Sequence, residues 1–440
     1  MCIRIRFRIK EEEVVSRYLI LTAVLIFSAF PFVNAQEPLS AGTVEDSKDA
    51  NSVEKNDRIN SDEYSQYRSL GLSLGAAKVY EKAKGFSCNG YFDLLYENFA
   101  AETNLGAPSN LDQQVGVVGG VAFFGYRLNK RFVINSEIRL DRELVDNRTA
   151  KVTADLAYMD YFLKDDLVFR AGVILVPMGL VNEFHGPTEF LGTRRALGDI
   201  ETIPSTWHAL GFGIAGHKSI ADYRVYLISG LNAAGFSIRG SRDSREISWD
   251  TIQNPAIVFR LDGHLFRGGM LGGSYYAGNS GVFGAQPTDL KVHTVVQEIH
   301  FEVDRGGWLF RAQYAKMLLD KFQMRDLNII LDIHGLDGIG NRMVGGYIET
   351  GFDLLAHRKN GTRLIPYMRV EETNPQDALE KPSIDIGLLK NLTIDHFVYT
   401  YGLEFMPMDR LVIKADYQFV HAEKVNVAVN QFNIAVSYLF

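Results

Sequence analysis

A chain of 440 residues with a mean hydropathy of −0.05 is too polar for a helical membrane protein, yet 46% of it is hydrophobic, with 40 glycines, 28 phenylalanines and 20 tyrosines. A formal net charge of −7 speaks against a nucleic-acid partner, which calls for a basic face. Two cysteines, Cys2 and Cys88, exclude a disulfide-stapled framework.

The first element is an export signal, expected over residues 1–35. Arg4, Arg6, Arg8, Lys10 and Arg17 precede the apolar stretch Tyr18–Val33, and Val33-Asn34-Ala35 supplies small residues for cleavage near Ala35. A transmembrane anchor is the competing reading, but the stretch falls short of the about 20 residues a span needs. The acidic run Glu11-Glu12-Glu13 lengthens the basic region unusually and leaves room for a downstream start codon. Beyond residue 35 no stretch approaches 18 uninterrupted apolar residues, so further helical spans are excluded.

Residues 36–84 read as a polar periplasmic linker, with Ser, Asn, Asp, Glu and Lys dominating up to Glu63. A short helix is expected around Ala76–Glu81. A peptidoglycan-contacting or oligomer-supporting role for this segment is the alternative to a plain tether.

From residue 85 the dominant period is two. Phe132, Ile134, Ile138 and Leu140 share one face opposite Asn135, Glu137, Arg139 and Asp141. Val295, Ile299, Phe301 and Val303 lie opposite Glu298, His300 and Glu302, and Leu411, Ile413, Ala415, Tyr417 and Phe419 opposite Lys414, Asp416 and Gln418. Successive strand side chains point to opposite faces, so each run has one apolar and one wet side.

Sixteen strands follow, at 86–99, 114–127, 131–141, 151–163, 167–175, 208–217, 222–230, 256–265, 269–279, 294–303, 308–318, 342–355, 364–371, 396–406, 410–420 and 428–440. Many reach the about 9–11 residues of a tilted membrane strand, whereas soluble strands average about 5–6. Connections after even-numbered strands are short, and those after odd-numbered strands are usually long. Outer-membrane barrels sort their turns and loops in this way, and a soluble sandwich has no reason to. The expected fold is therefore an all-β, transmembrane, up-and-down antiparallel barrel over residues 85–440, surrounded by outer-membrane lipid.

The last strand places Phe432, Ile434, Val436, Tyr438 and Phe440 on one face. An alternating final strand ending on phenylalanine resembles the signal read by the barrel-assembly machinery of Gram-negative bacteria. Tyr399, Tyr401, Tyr417 and Tyr438 suit the aromatic girdles of a barrel. A barrel of this size leaves an aqueous channel rather than a filled core. Charged inward side chains are tolerated where water reaches them. The expected pore lining includes Glu137, Arg139, Arg170, Glu298 and Lys414.

The third long connection, 176–207, carries a further signature. Phe169-Arg170-Ala171-Gly172-Val173, Val176-Pro177-Met178-Gly179, Asn182-Glu183-Phe184-His185 and Thr206-Trp207 resemble the bacterial porins of the phosphate-selective O and P type. The resemblance covers about 167–216. It implies an outer-membrane porin for passive diffusion of small hydrophilic solutes or ions, anions such as phosphate among them, and a homotrimer. It also implies that 176–207 folds into the lumen as a constriction, with Glu183, His185, Arg194, Arg195 and Asp199 as candidate residues.

The charge pattern leaves selectivity open, because Glu183, Glu189, Asp199 and Glu201 accompany the arginines. No His-Glu-x-x-His helix occurs, and neither an enzyme nor a catalytic residue, cofactor or bound metal is expected. The competing class is a structural or adhesin-type barrel. Its charged 231–255 loop, with Arg239, Arg242, Asp243, Arg245 and Glu246, would contact partners outside.

Overall fold

The computed structural model describes residues 67–103, 109, 114–143, 151–247, 249–281, 291–324, 326–327, 338–358, 361–379, 395–422 and 428–440. The export segment and residues 36–66 lie outside the described residues.

Sixteen antiparallel strands close into one barrel. They are β1 (Gly85–Phe99), β2 (Gln114–Arg127), β3 (Phe132–Glu143), β4 (Lys151–Lys164), β5 (Leu167–Leu175), β6 (His208–Lys218), β7 (Ala221–Ser229) and β8 (Pro255–Phe266), continuing with β9 (Gly269–Gly281), β10 (Lys291–Arg305), β11 (Trp308–Leu319), β12 (Arg342–Phe352), β13 (Arg363–Ala378), β14 (His396–Met408), β15 (Leu411–Ala422) and β16 (Gln431–Leu439). Each strand pairs with its sequence neighbours, and β1 pairs with β16 from Tyr91↔Leu439 to Phe99↔Gln431. Closure leaves no open edge, which is what lets a sheet sit in hydrocarbon.

All sixteen expected strands are present, β10 is longer and β16 shorter than expected, and the largest departure is at β13. β13 runs to Ala378, beyond the expected end at 371, because Thr373 and Asn374 continue the ladders to β14 and β12.

The period-two pattern fixes which face meets which medium. On β10 the set Val292, Thr294, Val296, Glu298, His300, Glu302 and Asp304 is buried, while Ile299 on the other face is 57% exposed. On β3, Val133, Asn135 and Glu137 are buried and Ile134, Ile138 and Leu140 exposed. Tyr399, Tyr401, Tyr417 and Tyr438 all join the exposed outer face. A belt of exposed large apolar side chains around a closed sheet has lipid as its natural solvent. The polar set is inside.

The terminal phenylalanine completes the closure. Phe440 exchanges backbone hydrogen bonds with Gly90, N–H to O at 2.9 Å and the reverse at 3.2 Å, and its ring stacks on Phe92 at 5.3 Å.

The lumen is not empty. Residues 67–84, expected to belong to a free linker, are packed inside the barrel near its short-turn end. The expected short helix is present one turn early as α1, Leu74–Ala77, with Ser73 Oγ accepting from the Ala76 N–H. Leu70, Leu72, Ala76, Ala77, Val79 and Tyr80 are all buried, the two leucines and the valine each contributing on the order of 1.5–3 kcal/mol if fully withdrawn from water.

Polar anchors fix this segment to the wall. Arg68 pairs with Glu302 at 2.6 Å and lies over the Phe184 ring. Asn135 Nδ2 donates to the Ala76 carbonyl, and the Tyr80 hydroxyl to Asp160, both at 2.8 Å. Gly125 makes the approach possible, since a Cβ there would come within 2.5 Å of the Val79 Cβ. A run this short carries too little periodicity for burial to be read from sequence.

Candidate channel lumen

The long connection between β5 and β6 leaves the wall at a neck tied by one side chain. Asn182 Nδ2 donates to the carbonyls of Val176 and Trp207 at 2.7 and 2.8 Å, and its Oδ1 accepts from the Trp207 N–H at 2.6 Å. Three of the four hydrogen bonds a buried amide can make go to holding the two ends of the loop together. Gly179, at φ +71°, turns the chain inward, and Leu180 N–H donates to Gln313 on β11 at 2.6 Å.

From there the loop crosses the lumen. Lys414 on β15 donates to the Phe190 carbonyl, Thr193 to Asp416 on the same strand, and Leu197 N–H to Glu371 on β13. The far limb ends in a π-helical turn, Gly198–Thr202, where Asp199 accepts from Gln313 Nε2 at 2.6 Å. Carboxylates and amides of the opposite wall thus satisfy loop backbone that would otherwise be stranded.

A second connection also turns inward, against the expectation of an external charged surface. In the stretch between β7 and α2 (Trp249–Ile252), Leu231, Ala233, Phe236, Ser241 and Ser244 are buried. Ser241 Oγ donates to the carbonyls of Glu201 and Thr202, and Arg245 to those of Pro204 and Thr206. The short apolar residues Leu231, Ala233 and Phe236 drive this. They were overlooked beside the more conspicuous charges that follow them.

Between these segments and the wall lies a cavity of about 1270 Å³. Its walls include Tyr91, Asp93, Arg139, Thr153 and Asp155 from β1, β3 and β4, and Lys414, Ala435 and Ser437 from β15 and β16. The two inward loops contribute His185, Arg194, Arg195, Arg242 and Arg245. It reaches from the inward loops to Lys414 and Ser437, close to the short-turn ends of β15 and β16.

Six permanent cations (Arg139, Arg194, Arg195, Arg242, Arg245 and Lys414) face four acids (Asp93, Asp155, Asp243 and Glu246) in the lining. Some are paired: Arg139 with Asp155, Arg194 with Glu97 behind the lining, and Lys414 with Glu404 at 3.4 Å. Arg195 donates to the Ser205 and Thr206 hydroxyls, which leave its charge unneutralised. Burial, with Arg139 and Arg242 alongside, pushes the Arg195 guanidinium down to about 10. Burial and then Arg242 do the same to Arg245, also to about 10. Crowded like charges of this kind are relieved by an anion.

The ten expected lumen residues divide evenly. Arg139, His185, Arg194, Arg195 and Lys414 line the cavity. The other five are buried in polar networks behind it. Glu183 lies 3.4 and 3.5 Å from Arg224 and Arg260, Glu137 bonds His185 at 2.9 Å, and Arg170 holds Asp160 through two nitrogens. Glu298 bonds His300 and Ser274, and Asp199 is tied to Gln313. Asp199 and Glu137 bond the loop to the wall, and none of the five is among the residues that line the cavity. The lining also holds Tyr91, Asp155 and His208, which the sequence did not single out, and Arg242 and Arg245, which were expected on an external surface. For Tyr91 inward parity on β1 was the available signal, whereas Asp155 sits at a register shift on β4 and His208 shares the parity of the exposed Leu210 and Phe212.

No family model matches the chain. An uncharacterized protein of Aquifex aeolicus (strain VF5) is 25% identical over 358 residues, covering 79% of this chain and 78% of the relative. Among solved structures, the outer membrane channel DcaP of Acinetobacter baumannii has a TM-score of 0.52 at 9% identity, over 84% of this chain and 100% of its own. Salmonella typhi OmpF, in complex with daunomycin, has a TM-score of 0.51 at 12% identity over 81% and 98%. OmpT, an outer-membrane-expressed protein of Vibrio cholerae, has a TM-score of 0.51 at 10% identity over 82% and 99%. At these identities the likeness is one of fold: the chain has the architecture of outer-membrane porin barrels.

Proposed function

We propose that this protein is an outer-membrane porin, a passive diffusion channel whose lumen favours small hydrophilic anions. The carrying observation is the cavity of about 1270 Å³ bounded by the inward loop and lined with more permanent cations than acids. A ring of arginine and lysine favours anions, and low-dielectric walls strengthen the effect. Phosphate or a small carboxylate fits the forked donors of Arg139, Arg194, Arg195, Arg242 and Arg245. The likeness to channel structures supports the general role, and the signature over 167–216 supports the broad porin relationship. Passive diffusion needs no catalytic residue or cofactor.

On this reading residues 1–35 are a signal peptide cut near Ala35, the Phe440 strand is the handle for the barrel-assembly machinery, and the chain forms a homotrimer. The short-turn end faces the periplasm. A second reading, a structural barrel with a sealed lumen, is favoured by the three segments packed inside. Reversal potential in a salt gradient tests the first: preference for the anion is expected, and Arg194→Glu with Arg195→Glu shifts it toward the cation. An unchanged potential in that variant removes these arginines from the solute path.

A further inference from the structure

A second cluster lies beside the turn that joins β6 and β7, where Phe184 of the inward loop shares a small pocket with Asp222 and His264. His217 on β6, Asp222 on β7 and His264 on β8 occupy three consecutive strands, all on the lumen face and beside the turn at residues 219–220. His217 is the register partner of Asp222, and Asp222 is the partner of Asp262, two residues before His264. The alternation that makes the wall therefore delivers all three side chains to one spot.

The distances are those of a ligand set. His217 Nδ1 lies 2.5 Å from Asp222 Oδ1, and His264 Nε2 lies 2.8 Å from Asp222 Oδ2. One donor atom from each of the three residues falls within 4.8 Å of the others. An ion held tetrahedrally at about 2.0–2.2 Å from each would space its ligands about 3.3–3.6 Å apart. Small rotations of the two rings accomplish that closure. Asp222 is buried while both imidazoles are partly exposed, so the open side of the triangle faces water.

The neighbouring cations are already spoken for. Arg68 pairs with Glu302 at 2.6 Å, and Arg224 with Asp262 at 3.0 Å and Glu183 at 3.4 Å. The other carboxylate–histidine group, Glu137, Asp155 and His185, differs on this point. Arg139 reaches into it, bonding Asp155 at 2.5 Å and lying 3.5 Å from Glu137, and so occupies the place of a cation.

We infer that His217, Asp222 and His264 form a binding site for a divalent first-row transition-metal ion at the short-turn rim of the lumen. Two imidazole nitrogens and one carboxylate oxygen suit zinc, nickel or cobalt, and not calcium or magnesium, which take oxygen ligands. Water completes the coordination from the lumen side. The bound ion staples β6, β7 and β8 and places a fixed positive charge at that mouth. Nothing in the lone-histidine spacing of the sequence pointed to it, because the ligands come from three strands.

The test is equilibrium titration of the folded, detergent-solubilised full chain with Zn²⁺, repeated with Co²⁺ to read ligand-field absorption. One ion per chain is expected, with affinity weakened by at least about tenfold in each of His217→Gln, His264→Gln and Asp222→Asn. His185→Ala should bind as the unaltered chain does, and excess Ca²⁺ should not compete. Native-like migration of unheated samples on gels confirms that each variant is folded. Absence of Zn²⁺ binding to the unaltered chain overturns the proposal. So does undiminished binding in the His217→Gln, His264→Gln double variant, or loss of binding with His185→Ala alone.

Discussion

Asp199 and Glu201 share the π-helical turn where the inward loop meets the wall, and each keeps one carboxyl oxygen buried without a hydrogen-bond partner among the described residues. Burial pushes Asp199 up to about 7, and burial with Glu371 nearby pushes Glu201 up to about 8. Both carboxyls hold their protons more tightly folded than unfolded, where ordinary values near 4 apply. Between about pH 4 and pH 8 the folded protein keeps protons that the unfolded chain has lost, so stability falls as pH rises through that window. The denaturation midpoint should drop from pH 5 to pH 9, and Asp199→Asn with Glu201→Gln should flatten the drop. Ionisation also adds negative charge beside Ile200 in the cavity lining, so anion preference should weaken over the same range. A reversal potential that is constant from pH 6 to pH 9 would contradict this coupling. A second residue-scale expectation concerns Asp160, which holds Arg170 through two nitrogens and accepts from Tyr80. Asp160→Ala strands a buried guanidinium and should cost about 3–5 kcal/mol of stability, read from denaturant unfolding in lipid or detergent.

At the scale of elements, two inward loops and one N-terminal segment divide the work of narrowing the lumen. The segment 67–84 enters no strand pairing, so the barrel closes without it. Deleting these residues should leave a folded barrel with larger single-channel conductance. Unchanged conductance would mean that the segment does not lie on the solute path. Asn182→Ala opens the neck of the 176–207 loop and should expose that loop to limited proteolysis, with the barrel strands still protected. Loop position was legible in the sequence because ordinal place and length are one-dimensional facts. The inward turn of the 231–247 stretch was not, because Arg242 and Arg245 read as solvated until Glu201 and Thr202 are seen to accept from Ser241. Partners such as Asn135 with Ala76, or Asp416 with Thr193, join segments far apart in the chain. Side-chain parity assigns a residue to the lumen and says nothing about what it meets there.

For the molecule as a whole, the apolar belt, the closed hydrogen-bond ladder and the polar interior are one solution to a single constraint, that no backbone group be left unpaired in hydrocarbon. The sixteen strands and the closing role of Phe440 were readable because a period of two over nine or more residues is a strong signal and the loops sort by parity. The polar interior is expected to conduct, whereas a sealed lumen would not. Reconstitution of the folded full chain in planar bilayers decides it. Discrete, ohmic conductance steps with a reversal potential favouring the anion in a salt gradient are predicted. Correctly folded protein that inserts and shows no conductance would contradict the channel and leave a structural barrel.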